Sequence, residues 1–170
     1  MDRKLSPEFF EMYQQMKQRN VFRVIIRYGK YMAARSEEIA AENGYPNFKF
    51  RYMGFLANID PKGTIASDLA RCIHVTKQAM SKMVKEIERE GYIEFKPHES
   101  DGRASVIHLT PEGEDLLRLG VTISEKLKSE MVEMAGEDNV EHLIDTLQSL
   151  LQEVEERRGW PFLIGKVEEQ

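Results

Sequence analysis

Apolar residues recur every three or four positions over most of the chain, which is the spacing of helices that bury one face. Only residues 92 to 109 alternate between apolar and polar positions in the manner of strands. Two helix starts, after Ser6 and after Thr110, combine a hydroxyl cap, a proline at the first helical position and an early carboxylate. The pattern therefore predicts a mostly α protein with one small hairpin.

The N-terminal region predicts one long or kinked helix that begins after Ser6. Its apolar spacing runs to about Met32 and is interrupted by the polar residues 17 to 20. Residues 43 to 46, Asn-Gly-Tyr-Pro, predict a loop, because proline disfavours helix in the residue before it. A second helix is expected over roughly residues 48 to 58, closed by turn-forming residues 60 to 63.

Residues 64 to 91 predict two short capped helices joined by a tight turn. Thr64 is expected to cap the first, with Ile65, Leu69 and Cys72 facing inward. Thr76 is expected to cap the second, which runs from residue 77 to residue 90 and stops at Gly91. A short helix, a tight turn and a longer helix form the helix-turn-helix plan.

The segment after Gly91 predicts a hairpin, or wing, of two strands at residues 92 to 96 and 104 to 109. A long helix is then expected from Thr110 to Gly136. Asp138 and Glu141 form a capping-box-like pair at the start of a last helix. An apolar stripe on that helix, from Val140 to Val154, is wider than one partner helix needs, which indicates dimerisation.

The helix at residues 77 to 90 has two opposed faces when its residues are placed about 100° apart. The predicted core face consists of Ala79, Met80, Met83, Val84 and Ile87. The opposite face carries hydrogen-bond donors suited to phosphates and base edges in a major groove. That face consists of Lys77, Gln78, Ser81, Lys82, Lys85 and Arg89. With the cap, we expect the DNA contacts of this helix to come from Thr76, Lys77, Gln78, Ser81, Lys82 and Lys85.

Arg103, at the tip of the predicted wing, is a candidate for the narrow minor groove, where negative potential is enhanced. Asp101 can pair with Arg103 and set its direction. An isolated Asp-Gly-Arg would be an ordinary solvated turn, so the position of these residues after a helix-turn-helix carries the interpretation.

The net charge of −5 is unfavourable for a DNA-binding protein, but the charge is unevenly distributed. Residues 1 to 60 carry 10 Lys and Arg against 7 Asp and Glu, and residues 61 to 111 carry 8 against 7. Residues 119 to 170 carry 5 against 12, so we expect the acidic C-terminal region to face away from DNA.

Composition excludes several other classes of protein. The 170 residues suffice for one domain, and we see neither a signal peptide nor an apolar run long enough for a membrane span, which predicts a cytoplasmic protein. Cys72 is the single cysteine, so an intramolecular disulfide is excluded and a structural zinc site is not expected. Its position favours a buried role over redox sensing. We expect no cofactor, no metal and no catalytic activity.

The motifs resemble the MarR family of bacterial regulators. The residues that carry the resemblance are 68 to 70 (Asp-Leu-Ala), 75 to 81, 88 to 93, 101 to 103 (Asp-Gly-Arg) and 109 to 113. The resemblance implies a homodimer made by the first and last two helices, a recognition helix at residues 77 to 90 and a wing arginine at Arg103. It also implies binding to a pseudo-palindromic operator, commonly as a repressor released by a small molecule.

The resulting division of the chain has three parts. Residues 1–47 are expected to form an N-terminal dimerisation region, residues 48–118 a winged helix-turn-helix lobe, and residues 119–170 the C-terminal dimerisation helices and tail. A small aromatic or apolar effector is a candidate ligand between these parts, and core packing is the alternative reading of the residues involved. Those residues are Tyr28, Tyr31, Phe48 and Tyr52. A winged-helix module for protein contact, without operator recognition, remains the alternative function.

Overall fold

The computed structural model describes residues 6–65, 68–69, 76–97 and 105–158. Within these ranges the chain is mostly helical, as the apolar spacing predicts, and one small sheet is present. The helices are α1 (Pro7–Gln18), α2 (Val21–Glu42), α3 (Phe50–Leu56), α4 (Lys77–Arg89), α5 (Pro111–Ala135) and α6 (Glu137–Arg158). The strands are β1 (Thr64–Ile65), β2 (Ile93–Pro97) and β3 (Ser105–Leu109).

The N-terminal region consists of two helices, α1 and α2, with a break at Arg19 and Asn20. Asn20 has extended backbone, and its side-chain oxygen accepts a 2.9 Å hydrogen bond from the backbone N–H of Arg23. The interruption predicted at residues 17 to 20 is therefore a complete helix break, because Asn20 starts a new helix by capping it.

The sheet has three antiparallel strands in the order β1, β3, β2, so the predicted two-stranded wing gains a third strand. Thr64 pairs with Ile107 and Ile65 with Val106, which corrects the prediction that Thr64 caps a helix. The Thr64 hydroxyl instead accepts a 2.8 Å hydrogen bond from the N–H of Asp60. Leu69 is helical and buried, as expected, while the rest of the predicted short helix, with Cys72, lies outside the described residues.

The caps that frame α4 and α5 are the predicted ones. The hydroxyls of Thr76 and Thr110 accept hydrogen bonds from the N–H groups of Ala79 and Gly113, at 3.2 and 3.1 Å. Gly91, two residues after the end of α4, has φ +82°, a conformation that L side chains disfavour. The Thr110 hydroxyl also donates a 2.6 Å hydrogen bond to the Gly91 carbonyl, so the end of α4 and the start of α5 are directly connected.

The start of α6 differs from its prediction. The helix begins at Glu137, and the first bond of its ladder joins the N–H of Val140 to the carbonyl of Gly136. Asp138 therefore lies inside the first turn, two positions after the N-cap residue Gly136 and so too late for a capping box with Glu141. Glu141 pairs with Lys128 of α5 at 2.6 Å, which holds the two C-terminal helices together at this end.

The core lies where α2, α3, α4 and α5 meet the sheet, and its buried side chains come from all of these elements. An ion pair at its edge joins α2 to α5, because Arg35 donates to both oxygens of the Glu130 carboxylate at 3.0 to 3.3 Å. This contact lowers the pKa of Glu130 and raises that of Arg35. The fully buried large side chains include Ile39, Phe48, Phe55, Leu56, Leu69, Ile87, Ile107 and Leu116.

None of the helices in the described ranges combines the length and apolar character that a membrane span requires.

Candidate nucleic-acid interface

Helix α4 presents two chemically different faces. Met80, Val84 and Ile87 are buried in the core, and Met83 is partly buried, as their spacing predicts. Ala79 is exposed, which corrects its assignment to the core face; it lies about 100° around the helix from Met80, at the edge of the buried stripe. The exposed face consists of Gln78, Ser81, Lys82, Lys85, Glu88 and Arg89, together with the exposed cap Thr76.

The charges on α4 favour an anionic partner along this exposed face. Glu86 is paired with Arg51 of α3, and Glu90, directly after the helix, is paired with Arg89 at 3.1 Å. Neither Lys82 nor Lys85 makes an ion pair within the described part of the chain. Both ammonium groups are therefore available for phosphate oxygens.

The Arg51–Glu86 pair also fixes α4 against α3. The Arg51 guanidinium lies 5.6 Å from the centre of the Tyr52 ring, and the Tyr52 ring lies 6.5 Å from that of Tyr92. Burial raises the pKa of both tyrosines, with the nearby Glu86 and Glu90 acting in the same direction. Helix α4 is thus joined to α3 by one ion pair that lies beside the rings of Tyr52 and Tyr92.

The structure describes only some of the other DNA contacts predicted from the sequence. Lys77 is the first residue of α4, directly after Thr76. Asp101 and Arg103 lie outside the described residues, so their assignment stays a prediction. Strands β2 and β3 lead to that segment and are in register up to the pair Pro97 and Ser105.

Two cations that the sequence patterns did not single out lie beside the wing. Lys62 and Lys96, together with Asp60 and Asp68, line a cavity of about 560 Å³ to which residues of all three strands contribute. Lys96 also pairs with Glu94 on the same strand at 2.8 Å. The alternation of β2 places Glu94 and Lys96 on one face, and this is the sequence signal that could have identified Lys96. No such signal exists for Lys62, which lies in the turn before β1.

The four candidate effector residues form two ring pairs. Tyr28 and Tyr31 lie on α2 with ring centres 5.8 Å apart, and burial raises the pKa of Tyr28. Phe48 and Tyr52 are buried in the core, edge to face at 6.4 Å. Packing accounts for the second pair, whereas Tyr31 is 44% exposed and accessible to a ligand.

Within the described ranges, no group of three or more His, Cys, Asp and Glu side chains is arranged to hold a metal ion. His98, Glu99 and Asp101, three potential metal ligands that lie close together in the sequence, fall outside those ranges.

Comparison with known proteins gives matches in sequence and in fold. Residues 44–104 match the MarR family. The transcriptional activatory protein BadR of Rhodopseudomonas palustris is 27% identical over 89 residues, which cover 52% of this chain and 50% of BadR. The chain thus matches about half the length of this curated relative.

Two solved structures share the fold over most of the chain. The crystal structure of MarR is 21% identical with a TM-score of 0.64, over 94% of this chain and 99% of MarR. The transcriptional repressor CouR, bound to a 23-mer DNA duplex, is 16% identical with a TM-score of 0.66, over 80% of this chain and 95% of CouR. The resemblance predicted from the motifs is therefore confirmed: residues 44–104 match the MarR family, and the chain shares the fold of the MarR crystal structure.

Proposed function

We propose that this protein is a sequence-specific DNA-binding transcriptional regulator that binds a pseudo-palindromic operator as a homodimer. The observation that carries the proposal is the exposed face of α4, where Lys82 and Lys85 have no acidic partner in the described chain and stand opposite a buried stripe. In a helix-turn-helix the second helix enters the major groove with its N-terminal residues on base edges. Thr76, Lys77 and Gln78 occupy that end of α4.

The CouR complex supports the same placement, because that protein shares this fold and binds a DNA duplex. Glu86 and Glu90, which would repel phosphates, are paired with Arg51 and Arg89, which leaves Glu88 as the exposed carboxylate of α4 without an ion pair in the described chain. The acidic C-terminal region belongs to α5 and α6 and is therefore not part of the helix that carries the proposed DNA contacts.

The homodimer is supported by apolar side chains that one chain leaves in solvent. They lie on α1, on the first half of α2 and on α6. Exposed apolar surface of this extent marks an interaction site. The side chains are Phe9, Phe10, Met12, Tyr13, Met16, Val21, Phe22, Val24, Ile25 and Ile26 at the N-terminal end, and Leu143, Leu147, Leu150, Leu151 and Val154 on α6.

Repression and release by a small aromatic effector form the finer part of the proposal. A dimer reads two half-sites about 34 Å apart, so a ligand that favours a different spacing of the two α4 helices lowers operator affinity. Tyr28 and Tyr31 are the candidate contacts for such a ligand.

The test is the affinity of the full-length protein for DNA upstream of its own gene, measured against salt by fluorescence anisotropy. We expect saturable binding that weakens steeply with salt, and weaker binding to a scrambled duplex of the same length and composition. Equal, weak affinity for both duplexes would favour the protein-contact alternative.

A further inference from the structure

We propose that Glu37 of α2 and Arg51 of α3 are positioning residues, which hold α4 in the orientation in which it reads DNA. This role rests on the proposed function of α4. Neither residue belongs to the exposed face of α4. Both act through α3, the seven-residue helix that follows α2 in the chain.

The position of α3 depends on contacts from the neighbouring helices. A helix of this length is not stable alone in water, because too few hydrogen bonds offset the cost of starting it. Tyr52, Phe55 and Leu56 bury one face of α3 in the core. Met53 meets α5 at Gly120, where a methyl group would overlap the end of the Met53 side chain. Hydrophobic burial is non-directional, whereas hydrogen bonds have a preferred geometry, so the polar contacts of α3 define its direction.

Glu37 supplies the cap that α3 lacks in its own sequence. Lys49, the residue before the helix, has extended backbone and makes no side-chain cap hydrogen bond. A carboxylate oxygen of Glu37 instead accepts a 3.1 Å hydrogen bond from the N–H of Phe50, the first residue of α3. The ammonium group of Lys49 lies 4.0 Å from the other oxygen of that carboxylate. The start of α3 is therefore tied to α2, and a carboxylate there also interacts favourably with the helix dipole.

Arg51 ties α3 to α4. Its guanidinium donates a hydrogen bond to the carboxylate of Glu86 and lies 5.6 Å from the centre of the Tyr52 ring. The Glu86 side chain is only 21% exposed, so its carboxylate would be costly to leave unpaired. Among the described residues, no other ion pair or side-chain hydrogen bond joins α3 to α4. The two polar contacts of α3 thus form a chain from α2 to α4.

The location of Glu86 allows this contact to control the far end of α4. Glu86 lies in the C-terminal half of the helix, whereas the residues expected to contact base edges lie at its N-terminal end. Across the 13 residues of α4, a rotation of about 5° at one end moves the other by about 2 Å. Such a displacement breaks base-edge hydrogen bonds, whereas a long lysine side chain can still reach a phosphate. Loss of the contact should therefore weaken specific binding more than non-specific binding.

The experiment measures the ratio of operator affinity to scrambled-duplex affinity by anisotropy in full-length variants. Arg51→Gln should lower that ratio about threefold to tenfold, because both α4 helices of a dimer lose a partly exposed ion pair. The reversed pair Arg51→Glu, Glu86→Arg should restore most of the ratio, because it rebuilds the contact. Glu37→Ala should lower the ratio too, whereas Glu37→Gln, which keeps an oxygen acceptor for the N–H of Phe50, should retain most of it.

Arg118→Gln is the matched control. Arg118 is an ion-paired arginine like Arg51, but its partners Glu114 and Asp115 lie on its own helix, α5. Its substitution removes the same charge without separating two helices, so the ratio should not change. A direct phosphate contact by Arg51 would give equal losses on both duplexes, a smaller salt slope and no recovery in the reversed pair. That result would overturn the positioning role.

Amide hydrogen exchange without DNA separates this role from the DNA-binding proposal. Arg51→Gln and Glu37→Ala should speed exchange in peptides from α4 relative to peptides from α6, because a loosened helix opens locally more often. Unchanged exchange in both variants would overturn the positioning role whatever the duplexes show, as would an unchanged affinity ratio in a protein that discriminates between them. Equal affinity of the unmodified protein for both duplexes would overturn the proposed function and with it the reading role, while the exchange result still shows whether the two contacts hold α4.

Discussion

The backbone of Gly113 lies directly against the carbonyl group of Tyr92. A methyl group at position 113 would overlap the carbonyl oxygen of Tyr92, which is backbone and has no rotamer with which to move away. The same carbonyl accepts a 3.2 Å hydrogen bond from the N–H of Thr110. The start of α5 is thus packed against Tyr92, in the segment between α4 and β2, and the proposed reading lobe is joined rigidly to the long helix.

Replacing Gly113 with alanine should therefore destabilise the fold by about 1 to 3 kcal/mol, as overpacking of a close contact does. Gly54→Ala is the matched control, because Gly54 is exposed, lies inside α3 and has open space where the methyl group would go. That change should stabilise the fold by up to about 1 kcal/mol through helix propensity. Denaturant unfolding at one fixed protein concentration measures both, and equal stability of the two variants would contradict the contact.

The Arg35–Glu130 pair predicts a pH dependence with a defined sign. The folded-state pKa of Glu130 is lowered, first by its hydrogen bond from Arg35, so the pair stabilises the fold above the ordinary carboxyl pKa. That stabilisation is lost as the pH falls through the lowered value. Glu130→Gln should be less stable than the parent at neutral pH, and the difference should shrink below about pH 4.

Glu133→Gln is the control for this pH series. Glu133 lies on the same helix, is exposed and has no ion pair in the described part of the chain. Its substitution should leave the stability curve parallel to that of the parent. A Glu130→Gln curve that also stays parallel from neutral to acid pH would show that the pair does not contribute.

Because the exposed face of α6 is apolar, we expect a single charge placed on it to disrupt the proposed homodimer. Leu147 lies within the apolar stripe of α6 and is 38% exposed in one chain. Leu147→Glu should shift the protein toward monomer in sedimentation at micromolar concentration, because a buried unpaired carboxylate at an interface is costly. Gln148→Glu adds the same charge next to it, at an exposed polar position, and should stay dimeric. A stable folded monomer of the unmodified protein would overturn the proposed assembly.

Local chemistry was sufficient to predict the elements with strong caps. Thr76 and Thr110 begin α4 and α5 as expected, because a hydroxyl cap acts on an N–H only three residues away. The core positions of α4 were also predictable, because burial there follows from residue spacing within one helix. Ala79, at the edge of the buried stripe, is the exception.

The wrong predictions depend on partners distant in sequence. Thr64 has the side chain of a cap, but its segment pairs with Ile107 of β3, and a two-residue strand shows no alternation to detect. Asp138 has the composition of a capping box, yet Gly136 ends α5 and α6 begins one residue later. Arg51, which neutralises Glu86, could not be predicted because no local pattern relates residues on two different helices.

We expect replacement of Gln78 to change the base preference of DNA binding rather than the overall affinity for DNA. It is exposed near the N-terminal end of α4, where a side-chain amide can pair with an adenine edge in the major groove. Gln78→Ala should reduce discrimination between the preferred operator and single-base variants at one position, with little loss on non-specific DNA. Competition titrations with a set of such duplexes measure this, and an unchanged base preference would remove Gln78 from the reading surface.

The central claim, that α4 and the wing read DNA, is tested most directly by anisotropy titrations of Lys85→Ala and Arg103→Ala on operator and scrambled duplexes at several salt concentrations. Lys85→Ala should weaken both duplexes about equally and reduce the salt slope by about one unit for each α4 helix bound. Arg103→Ala should weaken operator binding by roughly 1 to 3 kcal/mol. Lys30→Ala, a charge-matched control on α2, should change neither. Unchanged affinity and salt slope for both Lys85→Ala and Arg103→Ala would contradict the DNA-reading role.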